Sequence, residues 1–270
     1  MKRCFFLAGL WVLSTAFVTA AIAGQPSSGA GGKETLTWTL GTTVAISPEY
    51  EGSDEYRAVV IPYIFPRFSN SGFVDVRGSD DIRFKILNNE NFELGPLAGY
   101  RFDREEEDGD KLVGLGDVDG GLVLGGFARV ALWPSTLYAG VSYHRTVTGD
   151  VDGGQLKFGL EYEAKPTDNV VMFARTGATY ADDEYMDSYF GVSASQAATS
   201  AAGLQQFDAD AGIKDVYASL GTRINFSESW AFNMTGRYAR LVGDAADSPV
   251  IETEDQFSAS AGLTYSFNFK

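Results

Sequence analysis

Cysteine and histidine are almost absent: the 270-residue chain has one of each, Cys4 and His144. Cys4 precedes the apolar run of a secretory signal. Lys2 and Arg3 open that signal, Phe5 to Ile22 form its apolar stretch, and Ala21-Ile22-Ala23 marks cleavage before Gly24. The exported chain is therefore expected to use no disulfides. Basic residues are also scarce, 21 Lys and Arg against 36 Asp and Glu, for a formal net charge of −15. Such a balance excludes a nucleic-acid partner, which needs clustered cations for phosphate. Beyond the signal no run approaches the roughly 18 consecutive apolar residues of a membrane helix. Any membrane-spanning role must fall to strands.

What is present is glycine (31), phenylalanine (19) and tyrosine (13), the composition of many strands and tight turns. The chain end gives the clearest pattern. Phe257, Ala259, Ala261, Leu263, Tyr265, Phe267 and Phe269 alternate with Ser258, Ser260, Gly262, Thr264, Ser266, Asn268 and Lys270. Period-two alternation places one set on each face of a strand. A transmembrane barrel turns the apolar set toward lipid, and the closing Tyr265, Phe267 and Phe269 have the spacing of an assembly signal.

Residues 24–33 read as a flexible leader and 34–270 as one all-β domain, an antiparallel up-and-down transmembrane β-barrel. Twelve strands are expected. Ten are the fallback if Tyr56 to Ile86 is irregular, because Pro62 and Pro66 cannot donate ladder hydrogen bonds. Connections alternate in length, short near Asn70, Asn89, Pro134, Thr167 and Glu228, and longest at the first, fifth, ninth and eleventh. With both termini periplasmic, the short set is periplasmic and the long acidic set external. The run Asp103 to Asp110 reads as a solvated loop, and Asp182 to about Ala211 as the longest loop. Trp38, Phe68, Phe102, Trp133, Tyr180, Trp230 and Phe269 lie near strand ends, as interfacial girdles require. The lumen is expected to be filled by Arg83, Lys85, Lys157, Glu161, Glu163, Arg175, Arg223 and Arg237.

Ser142 and His144 share the lumen side of one strand, with Glu161 and Glu163 on the same side of the next. A hydroxyl, an imidazole and a carboxylate are the ingredients of ester hydrolysis, but lipid substrates approach the outer wall. Ordinary lumen filling is the reading taken, with no catalytic residue and no cofactor. GDVDGG occurs twice, at 116–121 and 149–154. Its paired Asp carboxylates are of a kind that calcium uses, but a full loop needs more ligands than two, and Asp-Gly is a common turn pair. No metal site is assigned.

RLVGDAADSPV, Arg240 to Val250, is similar to a motif of the MltA-interacting protein family (MipA/OmpV) of Gram-negative outer membranes. PEYEGSD (48–54), LGPLAGY (94–100), GLGDVDGG (114–121) and YFGVSASQA (189–197) resemble it further, in family order. The resemblance implies an outer-membrane barrel in contact with lipid and lipopolysaccharide. It implies a non-enzymatic scaffold that links a lytic transglycosylase to a murein synthase, or an adhesin. A narrow channel for small solutes or antibiotics is the alternative, and a lipid hydrolase a weaker one. Arg240, Gly243, Asp244, Asp247, Ser248 and Pro249 form the motif loop, for which interaction and structural roles both stand open.

Overall fold

The structure, a computed structural model, describes residues 36–68, 74–149, 151 and 153–268. The stretches expected to be signal and leader, Phe269, Lys270 and the turn around Asn70 lie outside them. The chain runs up and down through β1 (Leu36–Pro48), β2 (Tyr56–Phe68), β3 (Val74–Gly78), β4 (Asp81–Phe84), β5 (Leu87–Asn88) and β6 (Phe92–Arg101). It continues through β7 (Gly121–Trp133), β8 (Leu137–Thr146), β9 (Gly154–Thr167) and β10 (Val170–Ala181). Two helices, α1 (Asp183–Phe190) and α2 (Ala194–Thr199), precede β11 (Gly212–Asn225) and β12 (Trp230–Leu241). After α3 (Asp244–Asp247), β13 (Asp255–Asn268) ends the described chain.

Neighbouring strands are antiparallel and follow the order β2-β1-β13-β12-β11-β10-β9-β8-β7-β6-β4-β3, with β5 also on β6. The last strand pairs with the first, from Thr37 opposite Asn268 to Ile46 opposite Ala259. The two ends of the order, β2 and β3, are consecutive in the chain, so the sheet comes round on itself.

Thirteen strands stand where twelve were expected, and Pro96 explains the difference. Where one strand was expected over 82–86, residues 81 to 88 form one wall position that breaks into β4 and β5, both paired with β6. The Ile86 amide donates to Leu94 O and the Tyr100 amide to Ser79 O. Even-numbered residues of β6 therefore aim their backbone groups at β4 and β5. Pro96 is one of them and has no N–H to offer. The register shifts by one residue opposite it, as a bulge does. The strand with Pro62 and Pro66 is a full strand at one end of the sheet order, a position that tolerates proline.

Alternation sorts the wall as expected. Leu40, Leu220, Met234 and Phe257 point outward, each more than half exposed. Thr43, Arg129, Glu161, Thr235 and Thr264 point inward and are buried. A small apolar cluster of Leu97, Val123 and Phe127 interrupts the polar lumen, and Arg83 stacks on its Phe127 ring at 4.9 Å.

The long connections differ most from expectation, because they fold together. Tyr50, Leu112, Leu115, Val192 and Val250 form one buried cluster. Tyr185, Met186, Phe190, Leu241 and Ala245 belong to a second. Apart from Leu241 at the end of β12, these residues come from the first, fifth, ninth and eleventh connections, and Val151 of the second cluster adds the seventh, so one end of the barrel carries a cap with its own core. The segment expected to be a long loop holds α1, capped by Asp182 accepting from the Tyr185 amide, and α2, capped by Ser193. The acidic run is likewise not a solvated loop throughout. Its Asp108 is buried and bonds Arg57 at 3.2 Å, because Tyr50 packs against the neighbouring Gly109 and draws the run over the barrel mouth.

Candidate functional site

The motif loop forms the joint between cap and wall. Gly243 turns the chain with φ +58°, a left-handed conformation costly for residues with a Cβ. α3 then buries Ala245 completely and lets Asp244 accept from the Asp210 amide at 2.8 Å. Ser248, also buried, donates its hydroxyl to Phe190 O at 2.5 Å, and the Tyr50 hydroxyl donates to Val250 O at 3.1 Å. Pro249 is partly buried between them, and Asp247 is exposed. Arg240 stands apart on the outer face, half exposed, bonding Glu254 at 2.5 Å and Asp255 at 3.0 Å.

Inside the wall, Glu161 accepts from three guanidiniums, those of Arg77 (2.8 Å), Arg129 (2.9 Å) and Arg175 (2.9 Å). Arg129 also holds Glu163 and lies 3.4 Å from the Tyr138 ring centroid. Lys85 bonds Glu93, and Lys157 bonds Asp80. Arg223 bonds Asn225 nearer the short-turn end. The expected charged filling is thus in place.

Ser142 and His144 do meet, with Oγ and Nε2 2.9 Å apart. The carboxylate does not join them. His144 Nδ1 faces the Asp80 carbonyl oxygen at 3.2 Å, which can only accept, so in the neutral ring Nε2 accepts from Ser142. Arg83 donates to Ser142 at 3.3 Å, while Glu161 and Glu163 are held by Arg129. This chain of hydrogen bonds ties the β3–β4 hairpin tip to β8.

In the first GDVDGG copy, Asp117 accepts from the Glu106 amide at 2.8 Å, and Gly116, like Gly114 just before the copy, has positive φ. That is turn bracing. In the second copy Asp150 and Asp152 lie outside the described residues. Among those described, no three His, Cys, Asp or Glu side chains are grouped to hold a metal.

The outer wall decides where this barrel lives. Tyr238 packs on Phe257 at 5.0 Å near the cap end, and Trp230 on Tyr265 at 4.9 Å near the other. Phe267 continues the latter cluster, 5.9 Å from Tyr265. The two pairs are eight residues apart on each strand. That is roughly 27 Å along a strand and about 21 Å along the normal at a tilt of ~40°. Aromatic girdles of this separation border the lipid-facing band of an outer-membrane barrel, with short turns in the periplasm and the cap outside.

The sequence profile described as MltA-interacting protein MipA matches residues 40–267. The chain belongs to the MipA family. Its curated relatives include the MltA-interacting proteins of Escherichia coli (strain K12) and Shigella flexneri. Each is 30% identical over 91 residues, which are 34% of this chain and 36% of the relative. The matched stretch thus spans about a third of those relatives' length.

Solved structures similar to this MipA-family chain include the translocator domain of the autotransporter NalP from Neisseria meningitidis. It is 12% identical, with a TM-score of 0.44, and the alignment covers 86% of this chain and 88% of that one. The CymD monoaromatic hydrocarbon channel is also similar, at 12% identity and a TM-score of 0.42, covering 88% and 90%. The N-terminal barrel domain of Pseudomonas aeruginosa OprF is 12% identical, with a TM-score of 0.28, over 67% of this chain and all of that one.

The cap residues of this family member were the ones sequence reasoning passed over. Their signal was present: Asp182 precedes Tyr185, Met186, Tyr189 and Phe190, an apolar pair repeated after one helical turn. Ser193 and Gln196 likewise have capping-box spacing, and both reciprocal hydrogen bonds form.

Proposed function

We propose that the protein is a non-enzymatic scaffold of the outer membrane that holds murein-remodelling enzymes at its periplasmic end. The observation that carries this reading is the filled and capped barrel. Charged side chains fill its lumen and a folded cap covers its outer mouth, so its accessible surfaces are the cap, the lipid band and the periplasmic rim. The relatives' name, MltA-interacting protein, supports a lytic transglycosylase as partner, and the family resemblance supports a murein synthase beside it. On the rim lie the turns at 89–91, 134–136, 168–169 and 226–229, with Glu90, Phe226 and, at the end of β7, Trp133 exposed to such partners. Crosslinking from these turns, followed by identification of the captured proteins, tests the reading. Capture of a transglycosylase supports it, and capture only from the cap favours surface adhesion instead.

A narrow solute channel is the second reading. Its support is a pair of lumenal cavities of ≈120 and ≈110 Å³ that share Asp80, Lys157 and Arg237 in their walls. Single-channel conductance in planar bilayers separates the two readings: discrete ion-conducting steps favour the channel, and silence favours the scaffold.

A further inference from the structure

Four buried polar groups from four separate parts of the chain meet around the ≈110 Å³ cavity beneath the cap. Ser47 comes from β1, Asp80 from the β3–β4 tip, Arg104 from the acidic connection and Tyr189 from α1. They are 2%, 6%, 5% and 8% exposed. Each has one atom without a hydrogen-bond partner: Ser47 Oγ, Asp80 Oδ1, Arg104 Nε and the Tyr189 hydroxyl. A buried polar atom left unpaired forfeits its hydrogen bonds to water without replacing them, so four around one cavity mark a place built to receive hydrogen bonds.

We propose that this cavity binds a small, uncharged, polyhydroxylated molecule of glycerol to monosaccharide size. The free groups dictate the class. Arg104 Nε can only donate and Asp80 Oδ1 can only accept, while the two hydroxyls do either. A hydroxyl-bearing ligand answers both, since every hydroxyl donates and accepts. The other charges of the wall have partners: Lys214 is held by Glu51 and Asp215, and Arg101 and Lys157 both pair with the second oxygen of Asp80, while Arg104 Nη1 donates to Tyr189 O. With the Arg104 cation and the Asp80 carboxylate in one wall, an anionic ligand attracted to Arg104 is repelled by the Asp80 oxygen and a cationic one the reverse, so a net charge on the ligand gains nothing. Purely apolar ligands would leave all four groups unpaired. The volume admits several hydroxyl-sized groups, each needing about 10–15 Å³. Tyr189 lies in α1, so the cap forms one wall of the site.

The test is isothermal titration of the exported chain in an amine-oxide detergent, whose head group is not a sugar. Glycerol and glucose are the neutral probes, and gluconate and glucosamine the charged ones. Saturable heat is expected with at least one neutral probe, and charged analogues of glucose should bind about tenfold more weakly or worse. Tyr189→Phe and Ser47→Ala should each weaken neutral binding roughly five- to thirtyfold. Tyr189→Phe keeps the ring that packs on Tyr185 at 4.6 Å, so it retains the cap if Ser47→Ala disturbs assembly. No saturable heat from either neutral probe, meaning a cavity that holds water only, would overturn the proposal. Equal affinity for the charged analogues, or unchanged affinity in Tyr189→Phe, would overturn it as well.

Discussion

Ser248 donates its hydroxyl to the carbonyl oxygen of Phe190, 58 residues earlier in the chain, and so joins the motif loop to the end of α1. Both residues are buried, and the Ser248 Oγ also accepts from the Val250 amide at 3.3 Å. Removing that one oxygen leaves a buried carbonyl and a buried amide unpaired. Ser248→Ala should cost about 1–3 kcal/mol, felt in the cap and not in the wall. Limited proteolysis of the folded protein checks this: cleavage within 191–211 should accelerate while the strand signal in circular dichroism persists.

Glu161 and Arg240 both make ion pairs, yet their loss should differ in scale. Glu161→Gln leaves Arg77, Arg129 and Arg175 around a neutral group in the buried lumen. Breaking a buried pair in this way costs roughly 3–5 kcal/mol. The partners of Arg240 are nearly half exposed, as it is, and water screens the pairs, so Arg240→Ala should leave stability almost unchanged. Urea unfolding in liposomes compares the two, and equal effects would refute the distinction.

Alkali should open the cap before it touches the wall. Burial, reinforced by the nearby Glu51 carboxylate, raises the Tyr185 phenol well above its ordinary value of 10. Burial likewise raises Tyr189 and Tyr50. A phenol whose folded pKa exceeds its unfolded one stabilises the fold fully below about pH 10, and this contribution is lost as pH rises through the folded pKa. Cap proteolysis measured from pH 8 to 11 should therefore be flat at first and steepen above about pH 10.

The periplasmic aromatic cluster is expected to guide insertion. Tyr265 packs on Trp230, and Phe267 on Tyr265, beside the closing ladder with β1. Tyr265→Ala and Phe267→Ala should each slow folding into vesicles, and Phe269→Ala should impair it more than removal of Lys270. Heat-modifiable gel migration over time reports the folded fraction.

The wall was legible because each strand separates lipid from a polar lumen, a contrast that period-two alternation records residue by residue. Leu40 and Tyr265, which alternation assigns to the outer face, indeed stand opposite each other there. The cap was not legible by that route. Its apolar residues are scattered over five connections, and Tyr50 meets Val250 only because the barrel brings distant loops to one end. Asp108 was misplaced for the same reason: a run of acids reads as solvated until a distant Arg57 faces it. The split of β4 from β5 depended on which edge Pro96 turns toward its neighbour, and alternation of side chains does not record that. The Ser142–His144 pairing was legible in spacing, but the carbonyl at its far side comes from the folded hairpin tip.

The scaffold reading is tested most directly by photo-crosslinking in cells from Glu90 and Glu228 on the periplasmic turns, against Ala194 on the cap. All three positions are exposed. A lytic transglycosylase adduct from the turn positions, with none from Ala194, is the predicted result. No such adduct from either turn position, or adducts from the cap alone, would contradict it.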